Sequence, residues 1–335
     1  VIIKIYIKNI PSKVYKYYMK ILAIQNRMGI GDTVIFLPFI RALYKRFNSP
    51  ISILVKESSK ADQYLFQTNY IDKILILERN NKNTNRHEGF FGSYNLIRDI
   101  KEHKFDKIFI FNSSLRYNII ARLSGIKEIY QYPLFKKTKQ HITETPKKFL
   151  KEYLNIDVNE DPVIQIDDKL TNKSNQKFNI KSDEINFLLG IGGSGPTKRI
   201  PVKTFLSVIE KITKIKKCKF FLATGKNPDE QTILNEILGS KFKSQCIPID
   251  DLSIQEILPI IKICNLSICN DSSFSHLSAA LGVKTITLMA DTPLIYGNYS
   301  SKMFPITPDG EKIVTHNTLA SLALLKLKGM SLFQL

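Results

Sequence analysis

Short apolar runs alternate with helix-like segments along most of this 335-residue chain, and this alternation constrains the fold more than any other feature. In the first half, strands are predicted at Ile21–Gln25, Ile51–Val55, Ile71–Leu77 and Lys107–Phe111. Apolar residues at helical spacing follow the first strand, and a second helical stretch lies at Tyr94–Lys104. Strands separated by helices form parallel βαβ units, so the first half is predicted to be a doubly wound α/β domain.

A second alternating series follows a polar stretch at residues 157–183 that is rich in Asn, Lys and Asp. Its predicted strands are Ile185–Ile191, Lys219–Ala223, Leu266–Cys269 and Thr285–Met289, and its predicted helices are Val202–Lys214, Pro228–Leu238, Ile254–Ile263, Ser275–Leu281 and Leu319–Leu327. We therefore predict an N-terminal domain over residues 1–165, with residues 1–20 as an extension, a linker over 166–184 and a C-terminal domain over 185–335. Two such domains leave a cleft between them, where ligands usually bind.

Composition excludes several classes of protein. No apolar run approaches the roughly 20 residues of a transmembrane helix, and the four cysteines form no C-x-x-C pair, so we predict neither a membrane-spanning protein nor a zinc site. The chain has 49 Lys and Arg against 30 Asp and Glu, a net charge of +19. These basic residues are spread out without an Arg-rich arm, so no nucleic-acid partner is expected. A plain solvated surface and attraction to phosphates or an anionic membrane both stay open.

Cellular location is inferred from the cysteines and from the first 20 residues. Unpaired thiols in a chain of this length indicate a cytoplasmic protein. Residues 1–20 lack the uninterrupted apolar stretch and the cleavage site of a signal peptide. A structural extension and a contact with a membrane surface are the two interpretations of this segment.

The first candidate site is the segment Met28–Asp32, which reads M-G-I-G-D between a strand and a helix. Glycines at such a position let the backbone turn tightly and let a ligand approach closely. Strand ends in open α/β sheets are where ligands bind. Asp32 is either a general base that reaches a substrate hydroxyl or a helix N-cap, and the spacing alone leaves both open.

The second candidate site is the glycine-rich loop Gly190–Gly195, followed by the segment Pro196–Pro201. The loop formally matches G-x-G-x-x-G, but two prolines delay the next helix to Val202 and no acidic residue ends the next strand. An NAD-linked oxidoreductase is therefore a poor fit. Backbone N–H groups together with Lys198 and Arg199 could still bind a phosphate, and a plain surface turn is the alternative.

Two further strand ends carry polar residues. Asp271 and His276 follow a strand and open a helix whose N–H groups could receive an anion, although no G-x-S-x-G elbow supports a hydrolase. A structural histidine is the alternative. Glu230 opens another helix and is either a ribose ligand or a first-turn acid favoured by the helix dipole. No D-x-D pair is present to grip a metal and a diphosphate, so a metal-independent site is the simpler prediction.

In this order and context, the four motifs resemble glycosyltransferase family 9, the bacterial heptosyltransferases of lipopolysaccharide core synthesis. The segment Met28–Pro38 is similar to the opening GD…P motif of that family, and Lys198–Pro201 is similar to its K-R-W-P segment, with isoleucine in place of the aromatic residue. Thr224–Glu230 resembles its G…E strand end. Asp271–Val283 resembles its D-[ST]-G-x-x-H-x-x-A-A-x-G-x-P signature. The matches extend over about residues 21–290.

The resemblance implies a GT-B fold, in which two Rossmann-like doubly wound domains face a central cleft. It implies inverting transfer of heptose from ADP-heptose to a lipopolysaccharide or lipooligosaccharide core acceptor, without a metal or another cofactor. Asp32 would deprotonate the acceptor hydroxyl, and Lys198 would hold the diphosphate. The implied donor-binding residues are Gly192, Gly193, Ser194, Thr197, Glu230, Asp271, Ser272, Ser273 and His276.

The acceptor implied by the resemblance is an anionic, lipid-linked glycan at the inner face of the inner membrane. Its carboxylates and phosphates suit bidentate arginine, and the net charge would favour a peripheral contact with that membrane. The candidate acceptor-binding residues are Gly31, Arg98, Arg116 and Arg122.

Three positions depart from the pattern of the family. Ser273 stands where a glycine is usual next to the sugar phosphate, Lys284 replaces a proline, and Asp291 replaces a glycine after the last strand. Two alternatives therefore stay open: a family member with another nucleotide-sugar or glycan acceptor, and a non-catalytic nucleotide-sugar-binding paralogue. The presence of both Asp32 and Lys198 argues against the second.

Overall fold

The computed structural model describes residues 19–27, 29–79, 85–134, 141–193, 195, 198–289, 296–297 and 299–307. Within these ranges the chain forms two parallel β-sheets, of five and six strands, and helices cover both faces of each sheet. The predicted α/β architecture with two doubly wound domains is confirmed.

The first sheet has the strand order β3-β2-β1-β4-β5, with all neighbouring strands parallel. Its strands are β1 (Ile21–Ile24), β2 (Ile51–Lys56), β3 (Ile71–Leu77), β4 (Lys107–Ile110) and β5 (Glu128–Gln131). The helices of this domain are α1 (Ile30–Phe47), α2 (Gly89–His103), α3 (Leu115–Leu123) and α4 (Glu144–Leu154).

Alternation along β1 explains how this sheet is covered. All four β1 residues are buried. Ile21 and Ala23 face the core formed with α1 and α4, whereas Leu22 and Ile24 face the core formed with α2 and α3. Because both faces are buried, the central strand has a continuous apolar sequence rather than an alternating one.

The second sheet has the order β11-β10-β9-β6-β7-β8 and is also parallel. Its strands are β6 (Ile185–Gly190), β7 (Cys218–Ala223), β8 (Cys246–Pro248), β9 (Leu266–Asn270), β10 (Thr285–Leu288) and β11 (Met303–Ile306). The remaining helices are α5 (Asp168–Lys177), α6 (Val202–Thr213), α7 (Pro228–Leu238), α8 (Ile254–Lys262) and α9 (Ser273–Ala280). The strand order reverses between β6 and β9, which is the usual position of a ligand in such sheets.

The predicted linker over residues 166–184 contains a helix that the sequence analysis did not anticipate. Helix α5 packs against α8, and Phe178 meets Phe221 edge-on at 5.2 Å between ring centroids. This segment therefore packs on the second domain instead of only connecting the two. The predicted helix at Leu319–Leu327 and nearly all of the extension over residues 1–20 lie outside the described residues.

The two domains touch along one side of the cleft. Helix α1 packs against α9. Next to this contact the Ile164 amide donates to the Ala280 carbonyl at 2.9 Å, and the Ser301 amide donates to Asp161 Oδ1 at 2.8 Å. The starts of α1 and α9 are therefore held opposite each other. In the part of the chain that the structure describes, no helix has the length and apolar character needed to cross a membrane.

Candidate functional site

A cavity of about 850 Å³ opens between the two domains at the carboxyl ends of their parallel strands. The first domain contributes the start of α1 and the segment after β2, and the second contributes the segments after β6, β7, β8 and β9. Ten of the predicted site residues line this cavity, namely Gly31, Asp32, Gly192, Gly193, Lys198, Glu230, Asp271, Ser272, Ser273 and His276. Five separate segments of the sequence thus converge on one site.

Asp32 lines this cavity, and its side chain is 19% exposed. Helix α1 begins at Ile30 with Gly29 as its N-cap, so the N-cap interpretation of Asp32 is wrong. Asp32 is instead the third residue of the helix, and its Oδ2 accepts a hydrogen bond from the Gly29 amide at 3.0 Å. Its Oδ1 is buried without a hydrogen-bond partner among the described residues, and Arg27 Nη1 lies 3.9 Å away. A carboxylate that lines the cavity and is anchored by a backbone amide is a suitable proton acceptor.

Lys198 and Asp271 form an ion pair on the second-domain wall. Lys198 Nζ donates to Asp271 Oδ2 at 2.6 Å, and the Asp271 side chain is only 3% exposed. The ammonium also lies 5.7 Å from the centre of the Tyr296 ring. A buried carboxylate of this kind requires a cation, so the pair fixes the position of the lysine charge in the cavity.

The start of α9 adds a second positive feature. Ser272 is the N-cap of this helix, and its hydroxyl is buried without a hydrogen-bond partner in the described part of the chain. Ser273 follows as the first helical residue and lines the cavity. Unpaired backbone N–H groups and the helix dipole favour an anion here.

His276 links this helix to the first domain. The imidazole faces Gly31, where an added Cβ would lie 2.4 Å from Cδ2, so only glycine allows α1 this close to α9. Burial lowers the pKa of His276 against the opposing charge of Asp271, so the ring is neutral near pH 7.

Tyr299 determines which nitrogen of that ring carries the hydrogen. Its hydroxyl lies 2.5 Å from His276 Nδ1, and burial raises the pKa of the phenol, which therefore keeps its proton. This hydrogen-bond network assigns the His276 hydrogen to Nε2, which lies 3.8 Å from Asp271 Oδ1. The two rings also stack, with centroids 5.6 Å apart.

The glycine-rich loop is held by two polar side chains from neighbouring strand ends. The Gly193 amide donates to Glu230 Oε1 at 2.6 Å, and a Cβ on Gly192 would lie 2.5 Å from the same oxygen. Asn270, which is fully buried, donates from Nδ2 to the Ile191 carbonyl at 2.8 Å. Glu230 thus supports the loop directly, a role that the sequence analysis did not anticipate.

At the β7–β8 end the cavity has a polar edge and an apolar floor. Lys226 Nζ lies 2.5 Å from Asp250 Oδ2, which also accepts from Gln231 Nε2 at 3.1 Å. Burial raises the pKa of Asp250, but the two hydrogen bonds lower it by more, so the pKa stays below its usual value. The apolar floor next to this pair consists of Leu252, Ile254 and Ile257.

The structure places the three predicted acceptor arginines on α2 and α3, outside the lining of the cavity. Arg98 and Arg122 are exposed, and Arg122 donates to Asn118 at 2.8 Å. Arg116 holds the chain before α2, donating to the His87 carbonyl at 2.6 Å. Their role toward an acceptor stays a prediction.

The remaining predictions concern four further positions, a metal site and the cysteines. Ser194, Thr197 and Asp291 lie outside the described residues, whereas Lys284 is exposed next to β10. Across the described ranges, no group of three or more His, Cys, Asp or Glu side chains could hold a metal ion. All four cysteines are buried and unpaired.

Several residues of the site were not predicted from the sequence. Asn270 directly precedes the predicted Asp271, so its position at a strand end was a usable signal. Tyr296 and Tyr299 belong to no motif, and only the return of the chain toward the cleft brings them to the site.

The chain resembles known proteins over most of its length. The sequence model of glycosyltransferase family 9 (heptosyltransferase) matches residues 94–303, which is more than half of the chain. The chain is 25% identical over 326 residues to lipopolysaccharide heptosyltransferase 1 of Campylobacter coli, and the match covers 87% of this chain and 90% of that protein.

Solved structures with a similar fold include the ADP-heptose lipopolysaccharide heptosyltransferase II of E. coli, with a TM-score of 0.67 at 17% identity, covering 92% of this chain and 99% of that one. A family 9 glycosyl transferase from Veillonella parvula aligns with a TM-score of 0.73 at 18% identity, covering 93% and 98% of the two chains. Both likenesses extend across the two domains and support the GT-B architecture.

Proposed function

This chain belongs to glycosyltransferase family 9, the heptosyltransferases, and on that premise we propose that it transfers heptose from ADP-heptose to a lipopolysaccharide or lipooligosaccharide core. That the protein is a glycosyltransferase follows from its family. The donor, the inversion and the independence from metal ions are proposals. The observation that carries them is the position of Asp32, which is anchored at the start of α1 and lines the same cavity as Lys198 and the start of α9.

The two sides of the cavity suit the two reactants. The leaving diphosphate gains negative charge in the transition state, and Lys198 with the N–H groups of α9 would stabilise that charge. The acceptor hydroxyl would approach from the first domain, where Asp32 can take its proton. A base and a leaving-group site on opposite walls fit a single displacement, which inverts the anomeric carbon.

The cation on the second-domain wall supports a reaction without a metal ion. Lys198 is already held beside the cavity by Asp271, at 2.6 Å. A diphosphate bound next to it would meet a fixed ammonium and a helix dipole, both of which offset phosphate charge in proteins.

The donor nucleotide would extend toward Glu230 and the apolar floor of the cavity. Leu252, Ile254 and Ile257 offer a surface for a planar base, and Glu230 lies between that floor and the glycine-rich loop. One similar structure is named as an ADP-heptose-dependent enzyme, which supports adenine as the base.

Only one of the four residues predicted to bind the acceptor lines the cavity. Gly31 lines the cavity, whereas Arg98, Arg116 and Arg122 lie on α2 and α3 away from it. We propose that Arg116 meets a distal anionic group of a long acceptor whose reacting hydroxyl lies at Asp32, and that Arg98 and Arg122 lie toward its lipid anchor.

Replacement of Asp32 by Asn tests the proposal. The variant keeps the acceptor for the Gly29 amide but cannot take a proton, so we expect turnover to fall by about 10²–10⁴. Binding of ADP, measured by calorimetry, should stay as in the parent protein. The matched control is Asp62→Asn, the same isosteric change at an exposed site of the first domain.

Each outcome separates two interpretations. Lost turnover with retained ADP binding supports Asp32 as the base. Unchanged turnover with ADP-heptose and a core acceptor removes Asp32 from the mechanism. ADP binding with no turnover in the parent protein favours the non-catalytic paralogue.

A different donor is the second candidate, because Ser273 adds a side chain at a position where the family usually has glycine. Substitution of Ser273 by Gly should raise the rate with ADP-heptose if the hydroxymethyl group crowds that donor. A lower rate with ADP-heptose would instead show that the hydroxyl contributes to its binding.

A further inference from the structure

Two neighbouring helices of the first domain expose a strongly apolar face. On α2, Phe90 is 86% exposed, Phe91 82% and Tyr94 60%. On α3, exposed apolar side chains recur at Leu115, Ile119 and Leu123. Single exposed apolar residues are common, but a contiguous group of this size usually marks an interaction surface. We refer to these six residues as the α2–α3 face.

The six side chains belong to one surface because α2 and α3 lie side by side. Arg116 Nε donates to Ser93 Oγ at 3.0 Å near the helix starts, and Ser124 Oγ donates to the Ile97 carbonyl at 3.3 Å further along. The helices therefore run in the same direction. The apolar residues recur every four residues on α3 and at spacings of three and four on α2, which keeps them on one side of each helix.

Charge on this face has one predominant sign. Arg98 continues the spacing that Phe90 and Tyr94 begin, and the exposed Arg122 lies next to Leu123. The whole chain carries a net charge of +19. Exposed aromatic rings combined with arginine at the same helical spacing fit an anionic lipid surface, because rings insert among headgroups while guanidinium groups bind phosphates.

Of the acidic side chains on α2 and just before it, Glu102 is exposed one helical turn after Arg98, and the other two are paired with basic side chains. Glu88, just before α2, lies 3.3 Å from Arg79 Nε. Asp99 on α2 is held by Arg86 and lies 3.0 Å from His87 Nε2. Both carboxylates are thus neutralised by side chains of the same region.

The position of the face also suits an enzyme that reaches a lipid-linked substrate. Helices α1, α2 and α3 all begin at the carboxyl edge of the first sheet, so Phe90 and Asp32 lie along the same edge. Helices α2 and α3 cover the sheet face opposite α1, and α1 is the helix that packs on the second domain. A surface bound to the α2–α3 face leaves the second domain clear.

We propose that the α2–α3 face binds an anionic phospholipid bilayer, with Phe90 and Phe91 inserted among the headgroups and Arg98 and Arg122 against the phosphates. The proposal deepens the proposed function and rests on it for the lipid anchor of the acceptor. Vesicle binding itself does not depend on catalysis, which keeps the two separable.

Sedimentation with vesicles tests the surface. The parent protein should bind vesicles of phosphatidylglycerol and phosphatidylethanolamine, and bind phosphatidylcholine vesicles much more weakly. Phe90→Ser/Phe91→Ser should weaken binding to the anionic vesicles by at least about tenfold, because two apolar rings are lost. Both rings are exposed, so the variant should keep the thermal midpoint of the parent protein.

Two further variants sharpen the sedimentation test. The matched control is Ile215→Ser, which removes an 80% exposed apolar residue from the second domain and should leave vesicle binding unchanged. Arg98→Gln/Arg122→Gln should weaken binding to anionic vesicles, and added salt should reduce the difference from the parent protein.

A kinetic comparison separates this proposal from the proposed function. With an acceptor embedded in vesicles, Phe90→Ser/Phe91→Ser should raise KM by about tenfold. With a lipid-free core oligosaccharide, kcat and KM should match those of the parent protein. If the parent protein transfers heptose to neither acceptor, the proposed function fails, and sedimentation alone decides the surface.

Three results would overturn the proposal. The double Phe variant could bind anionic vesicles as tightly as the parent protein, which would assign the contact to another segment such as residues 1–20. The parent protein could fail to bind vesicles. Sedimentation velocity could reveal a dimer that the double Phe variant dissociates, which would make the face a contact between two copies of this chain.

Discussion

Replacement of Gly31 by Ala tests the contact between the two domains with the smallest possible change. A Cβ at this position would lie 2.4 Å from His276 Cδ2 and 2.9 Å from Nε2. Carbon atoms in contact are usually about 3.5–4.0 Å apart, so the ring or the helix must move by about 1 Å. The His276 ring is buried and stacked on Tyr299, so it cannot simply swing away.

Two opposing effects set the expected change in stability. Alanine is favoured over glycine in a helix by up to about 1 kcal/mol. Overpacking a close contact costs about 1–3 kcal/mol, so a net destabilisation of about 1 kcal/mol is expected. Activity should suffer more, because a displacement of about 1 Å in a catalytic site can cost about 10²-fold. A small loss of stability with a large loss of turnover is therefore the expected signature.

Urea denaturation and steady-state kinetics provide the measurement. The matched control is Gly195→Ala, where the added Cβ would meet nothing within 4 Å and stability should hold. His276→Ala in the Gly31→Ala background should remove the clash, so the double-mutant cycle should give a favourable coupling of about 1 kcal/mol or more. If Gly31→Ala keeps the stability and turnover of the parent protein and shows no coupling to His276, the close contact between Gly31 and His276 is refuted.

Four further predictions concern polar residues in and next to the cavity. Lys198→Met leaves the buried Asp271 carboxylate unpaired, so turnover should fall by about 10²–10³. Urea denaturation should show that the free energy of unfolding falls by about 3–5 kcal/mol. Adding Asp271→Asn should restore this stability but not the activity. The unfolded chain protonates His276 below about pH 6.5, whereas burial keeps the pKa of this ring lower in the folded protein. The contribution of His276 to stability should therefore be constant above that pH and decline below it. In a pH series of thermal midpoints, His276→Gln should flatten this decline. Tyr299→Phe removes the donor that favours the neutral His276 ring, so the acid limb of the pH–rate profile should move to higher pH. Glu230→Ala should raise KM for the donor more than it lowers kcat, in initial-rate measurements.

The sequence predicted the alternation of strands and helices well, because buried parallel strands are continuous apolar runs. Helix α5 was missed since its sequence, DKLTNKSNQK, is polar and buries only Ser174. The short edge strands β5 and β8 were missed because EIYQ and CIP are too brief to carry a periodic signal.

The candidate site was predicted where residues follow strand ends, since the carboxyl edge of a parallel sheet gathers them. Asp32, Lys198 and Asp271 all reach the cavity for this reason. The partnership of Gly31 with His276 could not be predicted, because it depends on how the two domains are packed. The same holds for Tyr299, which reaches the site from a segment without a motif.

Calorimetric titration of the protein with ADP, UDP and GDP, with a chelator present, tests whether the cavity is a metal-independent ADP-heptose site. We expect ADP to bind clearly more tightly than UDP or GDP, and we expect the chelator to leave its binding unchanged. Equal affinity for the three nucleotides, preference for UDP or GDP, or ADP binding that requires a divalent cation would contradict this assignment.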